Sequence, residues 1–322
     1  MATAASSSVV TLEKKKRTGS FRSCSSSSSS SSKKPCTRCE LVGFDSLPEY
    51  LKDNEFLLNY YRADWPLKET MLSIFSIHNE TLNIWTHLIG FFIFLCITVC
   101  AATTIRRHDG AGSSVTEQPV ARWPFFAFLA GAMLCLLSSS ACHLVSCHSE
   151  RCAYAMLRLD YAGISTLIVT SFYPLVYYTF LCDPFSRGLY LGLITALGAA
   201  AVLASLVPAF QTPGYRPARA LLFSLMAASG LVPIAHKVAA FGDRPEAIAT
   251  AWYELAMGIF YGLGVAAYVA RVPERWMPGR FDIVGHSHQL FHVLVIAGAY
   301  THYLAGLEYL KWRDVQGPYC QC

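Results

Sequence analysis

Apolar residues in this chain come in long unbroken runs rather than in alternating or stripe-like patterns. Seven runs stand out, at about 88–105, 123–145, 157–181, 188–208, 218–236, 247–270 and 283–304. Short polar or turn-forming stretches separate them: Arg106-Arg107-His108-Asp109-Gly110, Ser149-Glu150-Arg151, Asp183-Pro184, Pro213-Gly214-Tyr215-Arg216-Pro217, Gly242-Asp243-Arg244-Pro245 and Arg271-Val272-Pro273-Glu274-Arg275. A helix of about 20 residues crosses a hydrocarbon core of about 30 Å. The runs are too long and continuous for membrane strands. The pattern therefore predicts an all-α integral membrane protein, a seven-transmembrane helix bundle occupying residues 88–310. No internal repeat of the transporter kind is visible.

The flanks differ. Residues 1–45 form a Ser/Lys-rich segment with Lys14-Lys15-Lys16-Arg17 and a serine run from Ser25 to Ser32. Such a tract cannot bury a core, so it is expected to be a disordered tail. It lacks the apolar h-region of a secretory signal. A cytosolic tail is the expectation, with an organelle transit peptide as the alternative for a serine-rich, acid-poor leader.

Residues 46–87 are expected to be an amphipathic, interfacial helical segment. Ser46-Leu47-Pro48-Glu49 fits a capped helix start, with an apolar face from Leu47, Tyr50, Leu51, Phe56, Leu57 and Leu58. Glu80, Asn83 and His87 fall at i, i+3 and i+7, on one stripe leading into the first span. Residues 311–322 are expected to be a short C-terminal tail.

Composition narrows the class. Hydrophobic residues make up 53% and charged residues only 15%, against roughly 25% charged in soluble domains. The net charge of +5 resides largely in the tail; it calls for no nucleic-acid partner and suits weak attraction to anionic lipid. Among the twelve cysteines, Cys36 and Cys39 form one CxxC without a matching second pair, and the cysteines are expected to be mostly reduced. With the N-terminus inside, seven arginines fall in inner loops (Arg216 and Arg219 among them) against eight basic residues on the outer side, Lys237 included. Charge counting thus leaves orientation open, and the basic tail leans it toward a cytosolic N-terminus.

Ionisable residues at span ends are the candidate chemistry. His143 lies near the end of the second run, Asp160 near the start of the third, and His288 and His292 near the start of the seventh. Because the chain crosses alternately, these four share one membrane face. His288 and His292, four apart, share one helical face and can bind one metal, with His143 as a third nitrogen. Three protein ligands with an open position is the pattern of a catalytic zinc. Ser139, one turn before His143, can hydrogen-bond to water on that metal or to Asp160, and Asp160 can orient the water or take its proton. His286, about 200° round the helix from His288, should point away and is read as interfacial. The alternative is that these polar groups simply hold helices together. Glu254, mid-span and without an identifiable partner, is read in that way.

At these residues the chain resembles the progestin and adipoQ receptor family, and within it the plant heptahelical proteins similar to adiponectin receptors. The matching stretches are Ser76 to His87, Ser139-Ser-Ala-Cys-His143, Arg158 to Ile164, Ala270 to Asp282 and Ser287 to Val293, covering about residues 46–310. The resemblance implies a seven-helix topology unlike that of G-protein-coupled receptors and a cytosolic N-terminus. It also implies Zn2+ held by His143, His288 and His292 near the cytosolic side, with Asp160 and Ser139 around the bound water. The family is similar to a wider group of membrane hydrolases that includes alkaline ceramidases.

Two functions follow as expectations. One is a receptor-like signalling protein whose zinc site hydrolyses a lipid amide such as a ceramide. The other is a non-catalytic hormone or stress-signalling receptor or scaffold, with a protein or other ligand, in which zinc ties the second and seventh helices. The seventh run has no lysine for a retinal Schiff base, and no pair of broken helices suggests a transporter. The plasma membrane or an endomembrane is the expected location.

Overall fold

The computed structural model describes residues 39–111 and 120–316; the serine-rich segment 1–38 and residues 317–322 lie outside them. Among the described residues the helices in chain order are α1 (Leu67–Leu72), α2 (Thr81–Ala111), α3 (Trp123–Val145), α4 (Glu150–Thr179), α5 (Pro184–Ser205), α6 (Arg216–Ala228), α7 (Leu231–Phe241), α8 (Pro245–Ala270) and α9 (Ser287–Gln316). Seven stretches of the described residues are long and apolar enough to cross a membrane, with α6 and α7 together forming the fifth. The seven-helix bundle expected from the hydrophobic runs is the observed architecture.

Local signals explain the boundaries. The Ser149 side chain accepts from the Cys152 amide to start α4, and Asp183 accepts from the Ser186 amide to start α5. Each replaces one of the partners that the first amides of a helix lack. Prolines stand in the first turn of α3, α5, α6 and α8, where a missing N–H costs nothing. Two polar stretches are absorbed into helices. The helix α2 runs through the Arg106–Gly110 separator to Ala111. The helix α9 runs to Gln316 and buries Leu310, Trp312 and Arg313, so a free tail from 311 is not what forms.

The fifth span is broken at Ser229-Gly230, between α6 and α7. Pro233 accounts for the break: it has no amide to bond the Ser229 carbonyl, and its ring collides with that carbonyl in a continuous helix. The break was not visible in the hydrophobic run. Lys237 on α7, counted above as a loop charge, is fully buried, as are Arg216 and Arg219 nearly so on α6. Lys237 Nζ donates to Glu254 Oε2 at 2.6 Å, to Tyr309 Oη at 2.7 Å and to Thr250 Oγ1 at 3.0 Å. Glu254 thus has a partner on another helix.

The core runs along α2, α3, α4 and α9, with Phe94, Phe125, Phe128, Leu129, Leu136 and Val176 at its centre. Leu193, Leu197, Leu203, Leu221 and Leu225 are exposed, as a lipid-facing belt requires. The helices α3 and α4 approach closely: a Cβ on Gly163 would stand 3.0 Å from the Cys135 Cα and 2.3 Å from Ser138 Oγ. Small residues at such crossings let membrane helices pack where the hydrophobic effect between them is weak.

Residues 39–66 do not form the expected amphipathic helix. They make short 3-10 turns at Phe44–Ser46 and Glu49–Leu51 and a single antiparallel bridge between Val42 and Tyr61. Pro48 replaces Ser46 as the cap and offers no side-chain acceptor. The segment docks on the α8–α9 connection instead. Asp282 accepts from the Leu58 amide at 2.8 Å and from Asn59 Nδ2 at 2.9 Å. Buried Glu274 accepts from Asn54 Nδ2 at 3.1 Å and from the Ser287 amide at 2.8 Å, pinning the first residue of α9. Among the described cysteines, Cys96, Cys100, Cys135, Cys142, Cys147 and Cys152 are free thiols, whereas Cys182 is disulfide-bonded.

Candidate metal centre

His143 lies in the last turn of α3, and His288 and His292 in the first turns of α9. Their ligand nitrogens all lie within 4.8 Å of one another. His143 Nε2 and His288 Nε2 are 3.1 Å apart. The rings of His143 and His292 have centroids 5.0 Å apart, and those of His288 and His292 4.6 Å.

The outer nitrogens of His143 and His292 have partners. His143 Nδ1 lies 2.8 Å from Glu80 Oε2, so that nitrogen carries the proton and its Nε2 lone pair faces the cluster. His292 Nδ1 lies 3.2 Å from both Thr86 Oγ1 and the Asn83 carbonyl, which leaves its other nitrogen free in the same way. Two imidazole nitrogens on a tetrahedral ion at about 2.0–2.1 Å would stand about 3.3 Å apart. The spacing of His143 and His288 fits that demand, and these three residues could hold one metal ion. A carboxylate behind one histidine and a carbonyl behind another are the usual supports of such a centre.

Asp160 on α4 and Ser139 on α3 line the same cavity as the three histidines. The cavity has a volume of about 1270 Å³ and extends from the cluster between α4, α6, α7 and α8, past Phe223, Ala227, Leu231 and Leu255 to Glu254 and His302. Its long apolar part is of a size to take an acyl chain.

The Glu80–Asn83–His87 stripe faces the cluster. Asn83 Nδ2 donates to Glu80 Oε2 at 2.6 Å, and the His87 ring stacks on His292 at 3.6 Å. Burial pushes the Glu80 carboxyl up, but His143 and Asn83 beside it outweigh that and hold it well below the usual carboxylate range. Arg62, with no signal in the sequence, donates to the His143 carbonyl at 2.8 Å and the Leu144 carbonyl at 3.0 Å. It supplies partners to the end of α3 and so fixes where His143 stands. His286 is buried, not interfacial.

Residues 75–303 match the family described as haemolysin-III related. The chain belongs to that family. The match takes in Glu80, His143, Asp160, His288 and His292 and leaves out the docked segment 39–74. The chain is 52% identical to "Heptahelical transmembrane protein 4" of Arabidopsis thaliana, over 86% of this chain and 90% of that one. It is 46% identical to "Heptahelical transmembrane protein ADIPOR3" of Oryza sativa subsp. japonica, over 87% and 93%. It is 39% identical to "Adiponectin receptor protein" of Drosophila melanogaster, over 87% of this chain and 61% of that one. The resemblance to the progestin and adipoQ receptor family is borne out by these matches.

Proposed function

We propose that this protein is a zinc-containing, receptor-like membrane protein that hydrolyses a lipid amide of the ceramide class. The observation that carries the reading is the convergence of three imidazole nitrogens in the wall of a cavity of about 1270 Å³ that is also lined by an acid outside the three, Asp160. His143, His288 and His292 would hold the metal, and nitrogen ligands with a position left open suit a catalytic zinc. Zinc, when bound, polarises a carbonyl and brings the pKa of water to about 7.

The residues of the chain supply the rest. Glu80 fixes the proton of His143 on Nδ1. Asp160 takes the proton of the attacking water and returns it to the leaving amine, and Ser139 orients the Asp160 carboxyl. The apolar reach past Phe223, Ala227 and Leu255 holds the acyl chain. The N-terminus would be cytosolic, which sets the centre on the cytosolic side.

The other reading is a non-catalytic receptor in which zinc ties α3 to α9. It is favoured by the fact that the three ligands come from just those two helices. It is favoured also by the name of the Drosophila relative. The deciding experiment uses purified protein with measured zinc and a panel of ceramides of different chain length. Fatty-acid release that disappears with zinc in the His288→Ala/His292→Ala double variant supports the hydrolase. No release at full zinc occupancy leaves the receptor.

A further inference from the structure

A second, smaller pocket of about 90 Å³ lies against the histidine cluster, beneath residues 51–61, which precede the first span. His143 and His288 form part of its wall, and Asn79, Asn83 and Arg216 contribute to the remainder. These three side chains are 2%, 3% and 5% exposed. Even so, Asn79 Nδ2, Asn83 Oδ1 and both Nε and Nη1 of Arg216 have no hydrogen-bond partner in the protein. Buried polar atoms are almost always paired, and where protein partners are lacking an ordered water takes the place.

The charges decide what fits. Arg216 is paired with Asp53 through Nη2, and Glu80 with His143. An anion entering the pocket would face two carboxylates, a cation would face a guanidinium, and an apolar group would leave the three donor atoms and the Asn83 acceptor unmet. A neutral hydroxylic oxygen, which donates and accepts, meets all of them. The volume suits about three waters at about 30 Å³ each.

We infer that this pocket is a hydrated antechamber, through which water reaches the histidine cluster from the side of residues 51–61, away from the apolar reach past Phe223, Ala227 and Leu255; the large cavity shares its wall at Asn79, Glu80, His143 and His288. An acyl chain confined to that apolar reach would then not shut water out. Use of that water in hydrolysis rests on the function proposed above; the hydration itself does not.

Radiolytic hydroxyl labelling of the full chain in lipid nanodiscs tests this. Leu57 and Leu47 belong to one small cluster and are 6% and 5% exposed, but only Leu57 lines the pocket. With water in the pocket, Leu57 labels several-fold faster than Leu47. Equal slow labelling of the two overturns the inference. Asn79→Leu removes a donor and fills space, so labelling at Leu57 falls to the Leu47 rate. Ala227→Leu in the large cavity leaves it unchanged. Persistence of the Leu57 signal in Asn79→Leu, or its loss in Ala227→Leu, also counts against the pocket as the water path. If Asn79→Leu does not fold, the wild-type comparison decides alone. Fatty-acid release is scored separately: labelling at Leu57 without release keeps the antechamber and sinks the hydrolase.

Discussion

Glu80 Oε2 lies 2.8 Å from His143 Nδ1 across a sequence separation of 63 residues. The carboxylate sits one residue ahead of α2, the imidazole at the end of α3, and the bond between them fixes which nitrogen of His143 is left to face His288. Glu80→Gln keeps the shape and removes the charge. Zinc affinity is expected to fall by about 10- to 100-fold, the scale for losing a supporting carboxylate behind a ligand histidine. Competition with a chelator of known affinity measures it. Unchanged affinity would mean that Glu80 merely packs.

Lys237 and Glu254 form a pair in which both side chains are fully buried. Removing one partner leaves a charge with no counterion away from water, a loss of about 3–5 kcal/mol. Lys237→Met should therefore lower the melting temperature sharply. Adding Glu254→Gln to it should recover part of the loss, because the pair is then gone as a unit. A double-mutant cycle by thermal melting in micelles reads this. Strict additivity of the two substitutions would show that the pair is not coupled.

The pair also shows what a hydrophobicity reading can and cannot see. Seven spans were legible because a bilayer demands some twenty apolar residues in a row, and the run 123–145 coincides with α3 residue for residue. The shared face of His143, Asp160, His288 and His292 was legible from chain crossing alone. The partners were not. Lys237 and Glu254 meet because α6 and α7 bend at Pro233 and α7 lies along α8, and nothing in a one-dimensional pattern reports an interhelical angle. Glu80 was placed on the correct stripe, but its bond to His143 depends on how α2 leans on α3. The segment 46–61 misled because Pro48 and the pull of Asp282 and Glu274 outcompete a helix that local periodicity favours.

His78 gives the protein a pH dependence that metal ligands do not supply. Burial and the nearby Arg62 push its pKa down from 6.5 to about 4. Its Nε2 contacts the Ser73 carbonyl, and its Nδ1 accepts from the Glu80 amide. Between these pH values the unfolded chain binds a proton that the folded chain refuses. Stability is therefore full above about pH 6.5 and is lost as pH falls toward 4, by up to about 3 kcal/mol. Gln at this position cannot titrate. Melting temperatures of wild type and His78→Gln measured from pH 7.5 down to 5 should converge as pH falls, since only the wild type carries this term. Parallel curves would remove His78 from the acid sensitivity.

Asp160 separates the two proposed functions. Asn is nearly isosteric with Asp, so Asp160→Asn should keep the fold, and because Asp160 is outside the group of three histidines it should keep the zinc as well. An amide nevertheless cannot accept a proton from water at neutral pH. If the centre hydrolyses lipid amides, turnover should fall by about 100-fold or more, the scale for a positioned general base, with KM little changed because the acyl chain binds along the apolar reach of the cavity. If zinc only ties α3 to α9, there is no turnover to lose and the substitution acts on stability or signalling alone. The measurement is fatty-acid release from ceramides by wild type and variant side by side, with zinc determined in each. Equal activity in the two would keep the hydrolase and take the base role from Asp160. Loss of zinc in the variant would instead make Asp160 a support of the centre rather than a base.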